Sequence, residues 1–332
     1  MLRNRFFVVA FCLLLAGAAA PLLHADPVAD LQKYSVFSSV DLSSLAAGKV
    51  LANHGPSLSF PRDISVQSAY VVHAPLARTL ELHKNWDATK HSELKVYLHH
   101  DFSSHPTLAD FTLPLPGNSA VRKLQSVTEK LPSMDDLQLS KAEAAAFKSS
   151  GGDFHNFWTD VLFKRASVFV QHGLSGQPTY DGPDGSVRVG EEVGRLLKEQ
   201  PNVRAAFRPL IEKSPLGGGS GSLPLASYWE LINEEGEGAF TLGAACSTES
   251  ASSAQLLDLQ YYASTGFYVY VTLYQMWPVT VDGKAATLVW RVDSISTLSV
   301  ADLGPTERMG SGSAMRGEIQ RIIGFFQKDT GQ

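Results

Sequence analysis

The 332-residue chain lacks most of the features that would announce a chemistry. It has two cysteines, Cys12 and Cys246, too few for a disulfide framework. Charged residues make up only 18% of it, acidic ones outnumber basic ones 33 to 28, and no basic stretch is present. That balance argues against a nucleic-acid partner. Past the N-terminal segment no apolar run approaches the ~18 residues of a membrane span, and no internal repeat is visible. There is no Gly-x-Ser-x-Gly elbow, no His-Glu-x-x-His pair and no dinucleotide fingerprint, and the glycine run at 217–221 lacks the Lys-Ser/Thr ending of a phosphate loop. Gly310-Ser311-Gly312-Ser313 lacks the elbow spacing as well. No catalytic residue is assigned from this, and no cofactor is implied.

What is present begins with an export pattern. Arg3 and Arg5 precede an apolar run from Phe6 to Leu15, then small residues to Ala20 and Leu23-His24-Ala25 before Asp26. This reads as a signal peptide at 1–25, cleaved after Ala25, for a periplasmic or extracellular protein. Pro21 and His24 interrupt it too early for a membrane anchor, and Cys12 lies inside the apolar run, where a lipoprotein cysteine does not belong. Cleavage would leave 307 residues, a formal charge of −7 and Cys246 as the sole thiol. Following Gly243-Ala244-Ala245, that cysteine reads as a small buried hydrophobe.

Residues 26–60 show no sustained period and read as an extended lead-in that wraps on the main body, followed by an α+β domain over 61–332. Val66 to Val72 is a β-type run, and Pro75 opens a helix with Leu76, Leu80 and His83 on one side. A helical insertion is expected at 118–213. Its clearest stripe is Phe154, Phe157, Trp158, Val161, Leu162, Arg165, Val168 and Phe169. A Gly/Ser connector at 216–223 separates it from an antiparallel meander with strands at about 225–233, 238–246, 255–264, 266–281 and 284–297. Asp282-Gly283 between β runs is a strong hairpin signal and pairs Val279 with Ala286, Trp277 with Leu288 and Tyr274 with Arg291. Alternation along these strands then sorts Phe267, Val269, Val271, Leu273, Trp277, Leu288, Trp290 and Val292 onto a core face. A mixed face carries Tyr268, Tyr270, Thr272, Tyr274, Met276, Val289, Arg291, Asp293 and Ile295. After Gly304-Pro305, a terminal helix presents Met315, Ile319, Ile322, Ile323 and Phe326 on one stripe, with Gly310, Gly312 and Ala314 permitting close approach near its start.

An early strand running into Ala74-Pro75 and a short helix, a late meander and a long C-terminal helix together resemble the helix-grip superfamily that includes START and Bet v 1-like lipid carriers. The resemblance is topological, covers about 66–100 and 225–328, and has no diagnostic motif; the helical block at 118–213 departs from it. It implies a curved sheet gripping the last helix around an apolar ligand cavity.

Tyrosines, methionine and a few charges on one face suit a ligand pocket, so Tyr268, Tyr270, Tyr274, Met276, Arg291 and Asp293, with Met315 of the terminal helix, are candidate ligand contacts. The same face also fits a helix-covered sheet with Arg291 and Asp293 in a cross-strand salt bridge near the rim. Arg165, inside an apolar stripe, can receive an acidic ligand, pair with an acidic side chain or snorkel at the helix edge. His83, His91, His99, His100, Asp101 and His105 are the only metal-like set, and His99, His100, Asp101 and His105 are its candidate ligands, although adjacent histidines on a strand point to opposite faces. Glu234, Glu235 and Glu237 read as a solvated hairpin tip, with a paired acid and base as the alternative. The expectation is an exported protein that binds or carries an apolar or amphipathic small molecule. A hydrolase, metal-assisted through the histidines, and an envelope assembly protein with a protein partner are the alternatives.

Overall fold

The computed structural model describes residues 26–331 apart from 57, 58, 113, 114, 135, 150, 183, 184 and 220, so the expected signal at 1–25 lies outside the described residues. The chain opens with helices α1 (Pro27–Tyr34) and α2 (Leu42–Ala46), strands β1 (Leu51–His54) and β2 (Asp63–Val72), helix α3 (Leu76–Lys84) and strand β3 (Val96–Phe102). Helices α4 (Ser119–Thr128), α5 (Lys141–Ser149) and α6 (Phe154–His172) follow, then a small hairpin of β4 (Tyr180–Gly182) and β5 (Gly185–Val187), then α7 (Val189–Lys198), α8 (Pro201–Ala206) and α9 (Arg208–Lys213). The meander is β6 (Ala226–Glu234), β7 (Glu237–Glu249), β8 (Ala254–Ala263), β9 (Val269–Val281) and β10 (Lys284–Ser296), and α10 (Pro305–Asp329) ends the fold. The architecture is α+β, as the sequence indicates: one large antiparallel sheet with the C-terminal helix packed on it. Among the described residues no helix is long and apolar enough to cross a membrane.

The sheet has eight strands in the order β1-β2-β10-β9-β8-β7-β6-β3, every neighbouring pair antiparallel. Asp282 and Gly283 adopt φ of 50° and 72°, the left-handed turn that matches strand twist, and the β9–β10 ladder has the expected register, Val279 opposite Ala286 and Tyr274 opposite Arg291. The sorting of side chains follows. Val71, Val271, Leu273, Trp277, Leu288, Trp290 and Val292 sit in the main core with residues of α1 and of α4 to α9. Val66, Tyr70, Val72, Leu256, Met276 and Val289 point the other way and pack with Leu76 and Leu80 of α3 and Ile319, Ile323 and Phe326 of α10. Helices therefore cover both faces, which is why neither face of the meander reads as solvent-exposed.

Two expectations need correction. The lead-in at 26–60 packs on the main body, with Leu31, Phe37 and Leu45 buried in the main core, but it is not extended: it forms α1, α2 and β1. Asp26 and Asp41 cap the two helices by accepting hydrogen bonds from the backbone at Val28 and Ser43, which a search for hydrophobic period overlooks in segments this short. Phe267 and Tyr268 also exchange faces. Strand β9 begins only at Val269, after a turn with Gly266 at φ 87°, so alternation does not extend back through them. Tyr268 joins the main core, while Phe267 stands 6.2 Å from the Tyr270 ring. Cys246 is buried in the main core, where loss of solvent pushes its thiol up to about 12. As expected, Gly312 permits close approach, since a Cβ there would meet the His54 ring at 2.7 Å.

The end of β2 near α7 and α8 carries a buried acid. Asp63 is 5% exposed, and neither of its carboxyl oxygens has a hydrogen-bond partner among the described residues. Burial, with Glu199 nearby, lifts its pKa from 3.8 to about 8, against a smaller opposing pull from Arg308. A pKa raised on folding contributes stability that is fully present below the unfolded value and lost as pH rises through the folded one. Thermal melts from about pH 4 to about pH 9 should therefore show the wild type losing stability relative to Asp63→Asn progressively between about pH 4 and pH 8 and levelling off above it. Parallel curves for the two proteins would show that Asp63 is not protonated in the fold.

Candidate functional site

The face under α3 and α10 carries one polar and aromatic belt that crosses the sheet. It starts at Tyr70 on β2, whose hydroxyl lies 2.7 Å from His83 Nε2 on α3. His83 Nδ1 is 2.8 Å from the carbonyl of Thr79, which can only accept. The Nδ1 proton is thereby fixed, and Tyr70 donates to Nε2 of a neutral ring. Burial lowers the His83 pKa to about 4, consistent with that tautomer. The Phe326 ring of α10 lies 4.2 Å from His83 and the Tyr274 ring 5.1 Å from it.

On β10, Arg291 closes on Asp293 through Nε to Oδ2 at 2.8 Å and Nη2 to Oδ1 at 2.7 Å. The pair runs along one strand, not across two, because residues two apart share a face. Tyr270 at 2.8 Å and Thr272 at 3.2 Å also donate to Asp293 Oδ1. Arg291 and Asp293 are 6% and 0% exposed, and the guanidinium lies 5.4 Å from the Tyr274 ring. Every strong donor around Asp293 is thus committed inside the protein. The pair organises the face and is not a free charge for a ligand.

The belt continues on β8 and β6 with residues that sequence reasoning missed. Tyr228 donates to Asp258 Oδ1 at 2.6 Å, reaching over β7. It does so because Gly243 lies between them: a Cβ at that position would run into the Tyr228 ring. Gln260 Nε2 donates to Glu230 at 3.1 Å, and Glu230 and Asp101 flank His99 at 3.0 and 3.2 Å. Hydrogen bonding to Glu230 holds the His99 pKa up at about 9, so it is an imidazolium at neutral pH. The missed signal was legible in alternation: Asp258 and Gln260 interleave with Leu257 and Leu259, and Tyr228 and Glu230 with Trp229 and Leu231. Tyr270, Tyr274, Asp258, Gln260, Glu230 and Ile295 are all half-buried, so water reaches the belt between its covering helices and the β6–β3 edge.

Of the expected ligand contacts, the fold brings together Tyr270, Tyr274, Arg291 and Asp293, with Met276 fully buried and Met315 half-buried in the same layer. Tyr268 lies elsewhere, lining a cleft of about 500 Å³ with Arg62, Arg195 and Tyr180. Arg165 neither snorkels nor faces a ligand. It is fully buried, pairs with Glu143 through two hydrogen bonds of 2.8 and 2.6 Å, and lies over the Tyr262 ring at 4.3 Å. Glu143 also accepts from the backbone and hydroxyl of Ser140, the capping box of α5, so one carboxylate serves a helix end and a buried guanidinium.

The metal expectation fails on geometry. Among the described residues no group of three or more His, Cys, Asp or Glu side chains is placed to hold a metal ion. His99 has both ring nitrogens against carboxylates and is protonated, which removes the lone pairs a metal needs. His100 points to the opposite face, 6.1 Å from the Trp229 ring, and His105 contacts Ser104 in the loop beyond β3. Asp101 is exposed, and His91 is tied to Asp329 at 2.7 Å. The glutamates at the β6–β7 turn are not a simple solvated tip either. Glu235 and Gly236 form it with positive φ, whereas Glu237 is buried beside Lys123 at 3.2 Å and burial lifts Glu234 to about 7.

The sequence matches no protein-family model and no curated protein, so nothing beyond the geometry bears on this site. Removing one partner of a buried ion pair leaves the other uncompensated, at a cost of about 3–5 kcal/mol. Denaturant unfolding of Arg291→Ala should show a loss of that size, against about 0–1 kcal/mol for Lys84→Ala, which removes the exposed bridge to Glu81. Equal losses would show that Asp293 is already satisfied by Tyr270 and Thr272.

Proposed function

We propose that this protein binds an amphipathic small molecule on the belt face of its sheet and carries it without transforming it. The observation behind this reading is the half-buried run of Tyr270, Tyr274, Asp258, Gln260 and Glu230, where aromatic rings and a few fixed polar groups share one water-accessible wall. Helix α10 packs on β1 and β2 and α3 on β8 to β10, and the half-buried state of Gln260 and Glu230 supports ligand access from the side of β6. The START and Bet v 1-like resemblance belongs to the proposal. The neighbouring of β2 and β10, with α10 laid over the sheet, is compatible with the grip that it implies. The helical block of α4 to α9 sits on the opposite face, where it does not obstruct the belt. Export to the periplasm or the outside of the cell, read from the first 25 residues, completes the proposal and gives such a carrier an aqueous route to cross.

The chain from residue 26, purified from its native host, would be compared by native and denaturing mass spectrometry. The expected result is an organic mass that accompanies the folded protein and leaves on denaturation. Gln260→Trp, which puts bulk into the open part of the wall, should lose that mass while retaining a cooperative melt. A wild-type protein that carries nothing, or a variant that retains its load unchanged, would overturn the proposal.

A further inference from the structure

The helices α7 to α9, on the side of the sheet away from the belt, reverse the charge balance of the chain. Acidic residues outnumber basic ones 33 to 28 overall, whereas 188–213 holds six basic residues, Arg188, Arg195, Lys198, Arg204, Arg208 and Lys213, to four acidic ones. Three of those four acids are engaged. Glu192 takes Arg62 and the Ser296 hydroxyl, Glu199 takes the Ser59 hydroxyl and the Phe60 backbone, and Glu191 lies 3.9 Å from Arg188. Lys198, Arg204 and Arg208 are exposed, and among the described residues none of the three forms an ion pair or donates a side-chain hydrogen bond, although Lys198 lies in the field of its neighbour Glu199.

These three cations border one hollow. A space of about 770 Å³ lies between α7, α8 and α9, where Lys198, Arg204 and Arg208 are joined by Leu197, Ile211 and a single acid, Glu212. A second hollow of about 280 Å³ adjoins it, since Gly194 and Leu216 line both, and its walls include Leu174, Val193 and Pro215 with the exposed Arg188 and Glu191. One buried polar group belongs to that second wall. Gln177, 5% exposed, gives its amide N–H to the Arg165 carbonyl at 3.0 Å and leaves Oε1 with no partner among the described residues. A buried acceptor without a donor is costly, and a hydrogen-bonding occupant of the hollow would relieve it.

Helix α7 leaves room along the groove. Gly190, Gly194 and Lys198 are four residues apart, so they lie in one line on the helix, about 12 Å from first to last. Glycine in mid-helix is destabilising relative to alanine, and no atom stands within 4 Å of a Cβ placed at Gly194, so packing within the protein does not require it. The line is bare at two positions and charged at the third.

We infer that this groove is a second binding site, for an anionic amphiphile whose carboxylate or phosphate head lies among Lys198, Arg204 and Arg208 and whose apolar tail follows the bare line of α7 beside Val193, Leu216 and Pro215. Guanidinium forks match the oxygens of such heads, and burial of the tail adds the apolar contribution. The sheet separates this site from the belt, so it neither needs nor weakens the binding proposed there.

Titration calorimetry of the mature chain with octanoate, octyl phosphate and octanol, each below its micelle concentration at neutral pH and low salt, tests the inference. The wild type should bind one or both anions about tenfold or more tightly than octanol, and added salt should reduce that preference. The double variant Arg204→Gln/Arg208→Gln removes two exposed, unbonded charges and should melt as the wild type does. It should lose the preference for the anions and keep its octanol affinity. Gly194→Leu puts a side chain where nothing stands within 4 Å, should melt no lower than the wild type, and should weaken anion binding about tenfold by occupying the tail's place. Anions bound no more tightly than octanol by the wild type, or anion affinity unchanged in either variant, would overturn the inference and leave the belt reading untouched.

Discussion

Strand β2 lies against β10 along ten residue pairs, from Val72 opposite Thr287 to Asp63 opposite Ser296, and the rest of the molecule is arranged around that seam. It joins segments more than two hundred residues apart in the chain, so closing it costs considerable loop entropy before any contact repays it. Its register decides what each layer contains. With Ala69 opposite Trp290 and Tyr70 opposite Val289, the odd residues of β2 enter the main core and Tyr70 enters the belt. A slip of one residue would exchange them and bring Tyr70 beside Trp290. Gln67 holds the register from the side, accepting both the Trp290 indole N–H and the backbone N–H of Val36.

The two layers on either side of the seam are different materials. The main core is dominated by aliphatic and aromatic contacts, such as the Phe169 and Tyr261 rings stacked 3.7 Å apart, and the buried guanidinium of Arg165 is neutralised in place. The belt layer mixes apolar contacts with separate hydrogen-bonded groups set across the sheet between Tyr70 and Asp101. Polar networks of this kind stabilise little unless every member is satisfied, and here nearly every member is. Exceptions are the buried Ser68 hydroxyl, which has no partner among the described residues, and the half-buried Asp258, whose one hydrogen bond comes from Tyr228.

Local signals account for what was readable in the sequence. The β9–β10 register follows from Asp282-Gly283, the start of α10 from Gly304-Pro305, and the α6 stripe from its period, since each depends on residues close together in the chain. What escaped depends on distant partners. Glu143 is 22 residues from Arg165, and the guanidinium looked like a ligand contact only while that carboxylate was out of sight. The face of Asp258 was legible from alternation, but its partner Tyr228 lies 30 residues away and meets it only across Gly243. The histidines at 83–105 are close in sequence, yet a helix, a strand and a loop send them to different neighbours. The face of Tyr268 was misjudged because β9 begins one residue later, at Val269.

Covering both faces of a sheet leaves only its two rims as unpaired backbone, and both rims are blunt. At one side β1 is four residues long and stops at Gly55, where a Cβ would strike the Ser65 side chain. At the other, β3 has an irregular register between Val96 and Leu98 and presents His99 and Asp101, both exposed and charged, along its outer part. Short, kinked and charged rims are poor templates for another strand. A chain whose central sheet is so long and so rich in β-branched and aromatic residues would otherwise be a candidate for growing sideways into fibres, and its rims oppose that growth.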